Sequence, residues 1–439
     1  MSRRPLEMSA GVILAAGSGL RLEGGPKPLA QVGGITLLER AVLTLRQAGV
    51  KRIIVVIGHA KDAVKQFVAE RALDVELVEN DDFSLGSGSS VLVGGRAVGG
   101  RFILTMVDHI VDPEAIARLL SSEAVFTAAV DTKPSSCRLA EATKVRLSGE
   151  RVVAVGRELE DYHAVDAGLF LCDAEVVAIA ERAVAAGDGS WNAVKRRCLA
   201  EGRPIVAVDL KGLFWVDVDT RDDARRAERL LVQRAAGKSW DGLVARYVNR
   251  HLSWRLSLLL IRPGISANAV TMFAFLLTLV SAGVLALGQL WPQALIAGGI
   301  LVQTSSVVDG VDGEIARASL RDSPAGNFLD SVLDRVGDAA VLIGLAVAAG
   351  PGTTAWAALV LALFGSLQIP YVRASYEASF ERPLPAPAYR IGFGRDVRLF
   401  LVAVSAVALQ PLWGLVVVAV LANLEAARRF VAGWRARRP

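Results

Sequence analysis

Apolar and polar positions follow one pattern up to about residue 262 of this 439-residue chain and another beyond it. In the first half, short apolar runs are separated by segments of helical spacing. Residues 11–16 (GVILAA), 52–58 (RIIVVIG), 75–80, 102–110 and 124–131 read as strands, and 61–73 reads as one of the intervening helices. Alternation of this kind predicts a doubly wound α/β domain over residues 1–236, with a mostly parallel sheet and ligands at the carboxyl ends of its strands. In the second half, no charged residue occurs in 264–308, 339–372 or 402–424. Each of these runs is long enough for two spans of about 20 residues. Each also carries a central break, at 288–292, 350–354 and 410–411. The pattern predicts an all-α domain of six transmembrane helices over residues 264–439. Residues 237–263 form the connection. Within it, 241–261 (DGLVARYVNRHLSWRLSLLLI) reads as an amphipathic helix lying along an anionic membrane surface.

Charge placement sets an orientation. Arg317 and Arg321, the arginines of 373–398, and those of 428–438 all fall on one side of the bundle, and the opposite turns have none. By the positive-inside rule that side is cytoplasmic, which makes the chain a multi-pass protein of the cytoplasmic membrane with its first domain and carboxyl terminus inside. The net charge of +5 and sequence pI near 9.2 follow from these flanks. No basic stripe with interleaved aromatics suggests nucleic acid. Cys137, Cys172 and Cys198 have no metal-ligand spacing and imply a reducing compartment without a disulfide framework.

Two constellations carry chemistry. Between the first two uncharged runs lie Asp309, Asp312, Asp330 and Asp334. The i, i+3 and i, i+4 spacings place each pair on one helix face, and two joined helices can converge all four acids. Such a cluster calls for hard divalent cations, Mg²⁺, Mn²⁺ or Ca²⁺, with Mg²⁺ or Mn²⁺ the expected cofactor. Gly313 and Gly326 add backbone without Cβ beside them. In the first half, Ala16, Gly17 and Gly19 follow the first strand, a place where backbone N–H groups cradle phosphates, with Arg21 and Lys27 supplying positive charge. Gly86, Ser87 and Ser89 follow the third strand and read either as a base-contacting loop or as a capped helix start. Asp108 closes an apolar strand, and Asp217 and Asp219 share one face of another.

The string Asp309-x2-Asp312-Gly313-x2-Ala316-Arg317-x8-Gly326-x3-Asp330-x3-Asp334 resembles the complete signature of the CDP-alcohol phosphotransferases, integral membrane enzymes that transfer a substituted phosphate from CDP to an alcohol. The resemblance implies two divalent ions on the acids, a CMP site at Gly313, Ala316, Arg317 and Gly326, and Asp334 as general base. The string LAAGxGxRL…PKPL resembles the signature of nucleotidyltransferases. This second resemblance implies one or two ions on Asp108 and Asp217, with Asp219 as the alternate, and acceptor contacts from Lys144, Asp166 and Gly168. Lys144 reads equally as a solvated strand-edge lysine. Arg373, Arg395 and Arg398 are either membrane anchors or ligands for an acceptor phosphate.

Fusion of the two halves resembles the family in which an inositol-1-phosphate cytidylyltransferase is joined to a di-myo-inositol-phosphate phosphate synthase. This implies CTP and inositol 1-phosphate as first substrates, CDP-inositol as the intermediate, and a homodimer through the transmembrane domain. The alternatives are transfer of a CDP-linked polar alcohol to a membrane lipid, or a transporter or anchor carrying a degenerate transferase.

Overall fold

The computed structural model describes residues 10–17, 25–134, 137–237, 242–385 and 393–436. It divides into two compact units, Met1–Glu228 and Arg229–Pro439.

The first unit is built on a nine-stranded sheet. Its strands are β1 (Ala10–Ala15), β2 (Ile53–Ile57), β3 (Glu76–Glu79), β4 (Phe102–Met106), β6 (Thr127–Asp131), β7 (Lys144–Ser148), β8 (Arg151–Gly156), β9 (Ala164–Cys172) and β10 (Ile205–Asp209). A separate pair is formed by β5 (His109–Val111) and β11 (Trp215–Asp217). The sheet order is β3-β2-β1-β4-β9-β6-β10-β8-β7. Strands β1 to β4 pair in parallel, and β1 and β2 are buried along their whole length, as their unbroken apolar runs require. The expected mostly parallel sheet is in fact mixed. β9 runs antiparallel to β4 and β6, and β7 and β8 form an antiparallel hairpin. Nor is 102–110 one strand. It breaks after Met106 and resumes as β5 on a different partner, which leaves Asp108 in the bend between the two sheets.

The second unit is helical. Beyond α2 (Arg221–Ala236), whose end reaches into it, come α3 (Arg250–Ile261), α4 (Ala267–Ala286), α5 (Pro292–Ala318), α6 (Pro324–Ala349), α7 (Thr353–Phe380), α8 (Arg395–Val407) and α9 (Pro411–Ala436). The six helices α4 to α9 turn at the three breaks expected from sequence. Among the described residues, three stretches, Ala267–Gln289, Pro292–Ala318 and Thr353–Phe380, are long and apolar enough to cross a membrane. At about 1.5 Å per residue, the 13 residues of α8 rise only about 20 Å, short of a hydrocarbon core of about 30 Å. Helices α4 and α6 meet backbone to backbone: a Cβ on Gly344 would lie 2.3 Å from the carbonyl oxygen of Ala282. Small residues bring helices this close where no hydrophobic effect drives them together.

Helix α3 turns a largely polar face inward. Its buried stripe, Asn249, Ser253, Ser257 and Ile261, is mainly polar, while Leu252 and Leu259 are exposed. The reason is Glu314 on α5, whose carboxylate is wholly buried. It accepts from Arg250 Nη1 at 2.8 Å, Ser253 Oγ at 2.5 Å and Ser257 Oγ at 2.6 Å. Asn249 extends the seam to Ser306 and Gln303. A buried acid is tolerated only when paired and hydrogen-bonded, so this one carboxylate docks α3 on the helix that bears Asp309 and Asp312. Removing one partner of a buried pair costs on the order of 3–5 kcal/mol. Glu314→Ala should therefore lower the melting temperature of the detergent-solubilised protein by several degrees. An unchanged melt would show that α3 docks by other contacts.

Candidate functional site

In the first unit, Lys27 opens a short 3-10 turn whose start is set by Pro26 and Pro28. Its Nζ lies 2.5 Å from Asp108 Oδ2 and 2.5 Å from Asp219 Oδ1. Burial alone would pull the Lys27 ammonium down, but the two carboxylates outweigh it and raise its pKa. Burial would likewise push Asp108 up, yet Lys27 and His109 hold it well below the usual carboxylate range. His109 Nδ1 is 2.8 Å from Asp108 Oδ1, and its ring stacks on Trp215. Burial would lower the imidazole pKa, but the Asp108 contact raises it. The second acid at this point is Asp219 rather than Asp217. Strand β11 ends at Asp217, opposite His109; Asp217 and Asp219 line one cleft, and it is the Asp219 carboxylate that reaches Lys27. Burial pushes the Asp217 carboxyl above its ordinary value, opposed by His109.

Two adjoining clefts share Ser87, Met106, Asp108 and Asp219. One, of about 630 Å³, is lined by Ala16, Gly17, Lys27, Gly86, Ser87 and Ser90. Its lining includes Ser87 and Ser90 in the first turn of α1 (Ser87–Val98), where the Gly88 and Ser89 N–H groups donate to the Gly189 and Gly86 carbonyls. The other, of about 710 Å³, holds His109, Asp166, Gly168, Lys195, Asn192 and Asp217. Asp166 accepts from Lys195 Nζ at 2.5 Å and from the Gly168 N–H at 2.8 Å. Gly168 has φ +71°, and a Cβ there would sit 2.2 Å from the His109 ring, so this position holds glycine for both reasons.

Not every expected residue joins these clefts. Ser89 is buried, with its hydroxyl donating to the Gly86 and Asp82 carbonyls and accepting from Asn80; it shapes the loop from behind. Lys144 lies over the Tyr162 ring rather than along either cleft. Gly19 and Arg21 lie outside the described residues.

In the second unit, carboxylate oxygens of Asp309, Asp330 and Asp334 come within 4.8 Å of one another. Asp312, expected with them, turns toward α4. Its Oδ2 accepts from Thr271 Oγ1 and its Oδ1 from the Gly313 N–H, both at 2.5 Å. Arg395, at the start of α8, crosses the trio: Nη1 is 2.7 Å from Asp309 Oδ2 and 2.9 Å from Asp334 Oδ1. Its Nε is 2.8 Å from Asp338, which also binds Arg398 at 2.9 Å. Arg317 lies against Gly313 and donates from Nε and Nη2 to the Ala235 carbonyl. Ala316 is half-buried one residue before it. Gly326, in the first turn of α6, donates to the capping Ser323 hydroxyl. Arg373 stands apart, paired with Glu377 on an exposed face of α7.

Both acid sets fit a divalent ion. Each offers hard oxygen ligands in reach of one point, and each is bridged here by a side-chain cation that occupies such a point.

Residues 11–186 match the family described as MobA-like NTP transferase domain, and residues 265–428 the family described as CDP-alcohol phosphatidyltransferase. A bifunctional IPC transferase and DIPP synthase from Rubrobacter xylanophilus is 44% identical over 97% of this chain and 96% of its own length. The protein of that name from Thermococcus kodakarensis is 35% identical over 89% of this chain and 88% of its own. The chain belongs to the family of bifunctional IPC transferases and DIPP synthases. An archaetidylinositol phosphate synthase from Pyrococcus horikoshii is also similar, 37% identical over 26% of this chain and 56% of that protein.

In this bifunctional IPC transferase and DIPP synthase family member, sequence reasoning overlooked three residues: Lys195, Asp338 and Glu314. Asp338 continues the four-residue spacing from Asp330 and Asp334, and that signal was available. Lys195 and Glu314 sit among ordinary helical residues, and only the fold brings them to their partners.

Gly168→Ala should displace the His109 ring and, through it, Asp108. A stability loss of about 1–3 kcal/mol is expected from the clash and the left-handed backbone, read by denaturant titration. Unaltered stability and activity would mean the ring has room to move.

Proposed function

We propose that this enzyme joins CTP to inositol 1-phosphate in its first unit, giving CDP-inositol and pyrophosphate. Its second unit then transfers the inositol phosphate group from CDP-inositol to a second inositol 1-phosphate, giving di-myo-inositol-phosphate phosphate and CMP. The observation that carries this reading is the end-to-end similarity to bifunctional relatives together with two separate acid constellations, one per unit.

In the first reaction, the cleft at Gly17, Lys27 and Gly86 takes the triphosphate, and the cleft at Asp166 and Lys195 takes the alcohol phosphate. The two meet at Asp108 and Asp219, which would hold the divalent ion. That assignment moves the second acid from Asp217 to Asp219. Lys27, held between these acids, has its ammonium ready for the phosphate charge that grows as pyrophosphate leaves. An oxygen of inositol 1-phosphate attacks the α-phosphorus, and the bond to pyrophosphate breaks.

In the second reaction, Asp309, Asp330 and Asp334 would hold the divalent ions, with Asp312 completing the set by turning from Thr271. Bound there, such ions neutralise phosphate oxygens and lower the barrier to displacement. Asp334 accepts the proton of the attacking hydroxyl, CMP departs, and Arg395 with Arg398 binds the phosphate of the acceptor. The same reading places both sites on the cytoplasmic side of the membrane, in a homodimer formed by the helical unit. The similarity to an archaetidylinositol phosphate synthase keeps a second reading in view, transfer to a lipid alcohol. Membranes supplied with CTP and inositol 1-phosphate separate the two: a water-soluble phosphodiester is expected, and a lipid-extractable product would favour the second.

Variants test the assignments. Lys27→Ala should abolish CDP-inositol synthesis while transfer from supplied CDP-inositol continues. Asp334→Asn should do the reverse, with transfer falling by about 10²–10⁴-fold; normal transfer would remove Asp334 from the chemistry. Asp219→Asn should weaken Mn²⁺ binding to the first unit beyond the roughly 10–100-fold typical of outer-shell changes. Asp217→Asn should weaken it less, and the opposite order would restore Asp217 as the ligand.

A further inference from the structure

We propose that Asp338 is a positioning residue for the transfer reaction, holding Arg395 and Arg398 as a paired cation for the phosphate of the alcohol-phosphate acceptor. This rests on the acceptor reading given above and adds a residue to it. Asp338 lies outside the acidic signature that ends at Asp334. It stands one turn further along α6, on the same face as Asp330 and Asp334.

Its two oxygens serve two different arginines. Oδ1 receives Arg395 Nε at 2.8 Å, and Oδ2 receives Arg398 Nη2 at 2.9 Å. The side chains of Asp338 and Arg398 are 8% and 7% exposed, so this is a buried pair whose separation would leave an uncompensated charge. Arg395 and Arg398 are one turn apart on α8, and one carboxylate from α6 bridges them. Two guanidiniums against one carboxylate leave a net positive charge, which a phosphate can satisfy.

Arg395 has a second attachment, through Nη1 to Asp309 and Asp334. Those two carboxylates belong to the trio suited to divalent ions, and a guanidinium and a metal ion compete for the same oxygens. Once cations hold the trio, Asp338 is the acid that keeps Arg395 at the site with Nη1 released for an anion. A guanidinium carries five N–H donors, so Asp338 fixes each arginine by one of them and leaves others for phosphate oxygens. An asparagine of the same shape would offer a single carbonyl acceptor and no charge, and could not hold both.

The test uses the full-length protein in detergent, Mg²⁺, CDP-inositol as donor and inositol 1-phosphate as acceptor, with CMP release as the readout. Asp338→Asn should raise KM for inositol 1-phosphate by about tenfold or more, as expected when a charge-assisted hydrogen bond no longer places its donor. KM for CDP-inositol should stay within about twofold, on the same scale. In an Arg398→Gln background, adding Asp338→Asn should raise the acceptor KM far less than it does alone, because the two act as a unit. If Asp338→Asn does not accumulate as folded protein, Asp338→Glu carries the same test. An acceptor KM that does not move, one that moves together with the donor KM, or strictly additive effects with Arg398→Gln would overturn the proposal. No CMP release by the wild-type protein would instead overturn the transfer reading on which it rests. Mn²⁺ titration without substrates gives a readout independent of turnover: Arg395→Ala should bind Mn²⁺ more tightly than wild type, since it removes the internal competitor. Weaker binding would show that Arg395 does not share oxygens with the metal.

Discussion

Carboxylates gathered out of water must be matched by positive charge, and both sites of this protein are organised by that requirement. In the first unit the match is Lys27 between Asp108 and Asp219. In the second it is Arg395 across Asp309, Asp334 and Asp338. Two acids a few ångströms apart in a low-dielectric setting repel by several kcal/mol or more, so a bridging cation is what lets the chain fold around them. Under the proposed function the same acids would exchange that cation for a divalent ion, freeing the side-chain cation for a phosphate. A side chain that stands where an ion would bind also has its charge in place for the substrate that arrives with the ion.

Much of the architecture could be read from the pattern of residues. The uncharged runs and their three breaks correspond to the turns between α4 and α5, α6 and α7, and α8 and α9, because a helix in an apolar setting tolerates neither loose backbone nor charge. The buried strands β1 and β2 were legible for the same reason. The pairing of strands was not. Whether β9 runs parallel or antiparallel depends on long connections whose paths no local periodicity encodes. The break at Asp108 was hidden as well, since 102–110 is apolar on both sides of it.

The sites divide along a similar line. Acids at fixed spacing, and glycine beside them, announced chemistry. Their partners did not, because a partner comes from a distant segment. Of the alternatives Asp217 and Asp219, both line one cleft and Asp219 is the one that meets Lys27, a distant residue that no local spacing points to. Ser89, open between a base contact and a helix cap in the sequence, bonds to Asn80 and to the Asp82 and Gly86 carbonyls. In α3 the serines bind Glu314 and Leu256, Leu258 and Leu260 pack against an apolar cluster, while Leu252 and Leu259 are exposed; the periodicity showed an amphipathic helix, but the buried acid that its polar face meets lies in a distant segment.

Glu314 also shows how catalytic and structural demands share one helix. Asp309, Asp312 and Glu314 lie within a turn and a half of α5, and three acids so close face three different neighbours. Asp309 meets α8 through Arg395, Asp312 meets α4 through Thr271, and Glu314 meets α3 through Arg250 and two serines. The helical angle of about 100° per residue separates them, so these three carboxylates meet three different partners, although Asp309 shares Arg395 with Asp334 and Asp338 on α6. A helix carrying this much negative charge is stable because its neighbours are arranged around it one acid at a time. The same arrangement ties α3, α4 and α8 to the helix that carries the acids. Charge matching and hydrogen bonds to three neighbouring helices thereby add to the apolar packing of α3, α4 and α5, and the placement of Asp309 depends on its neighbours on α5 as well as on its own contacts.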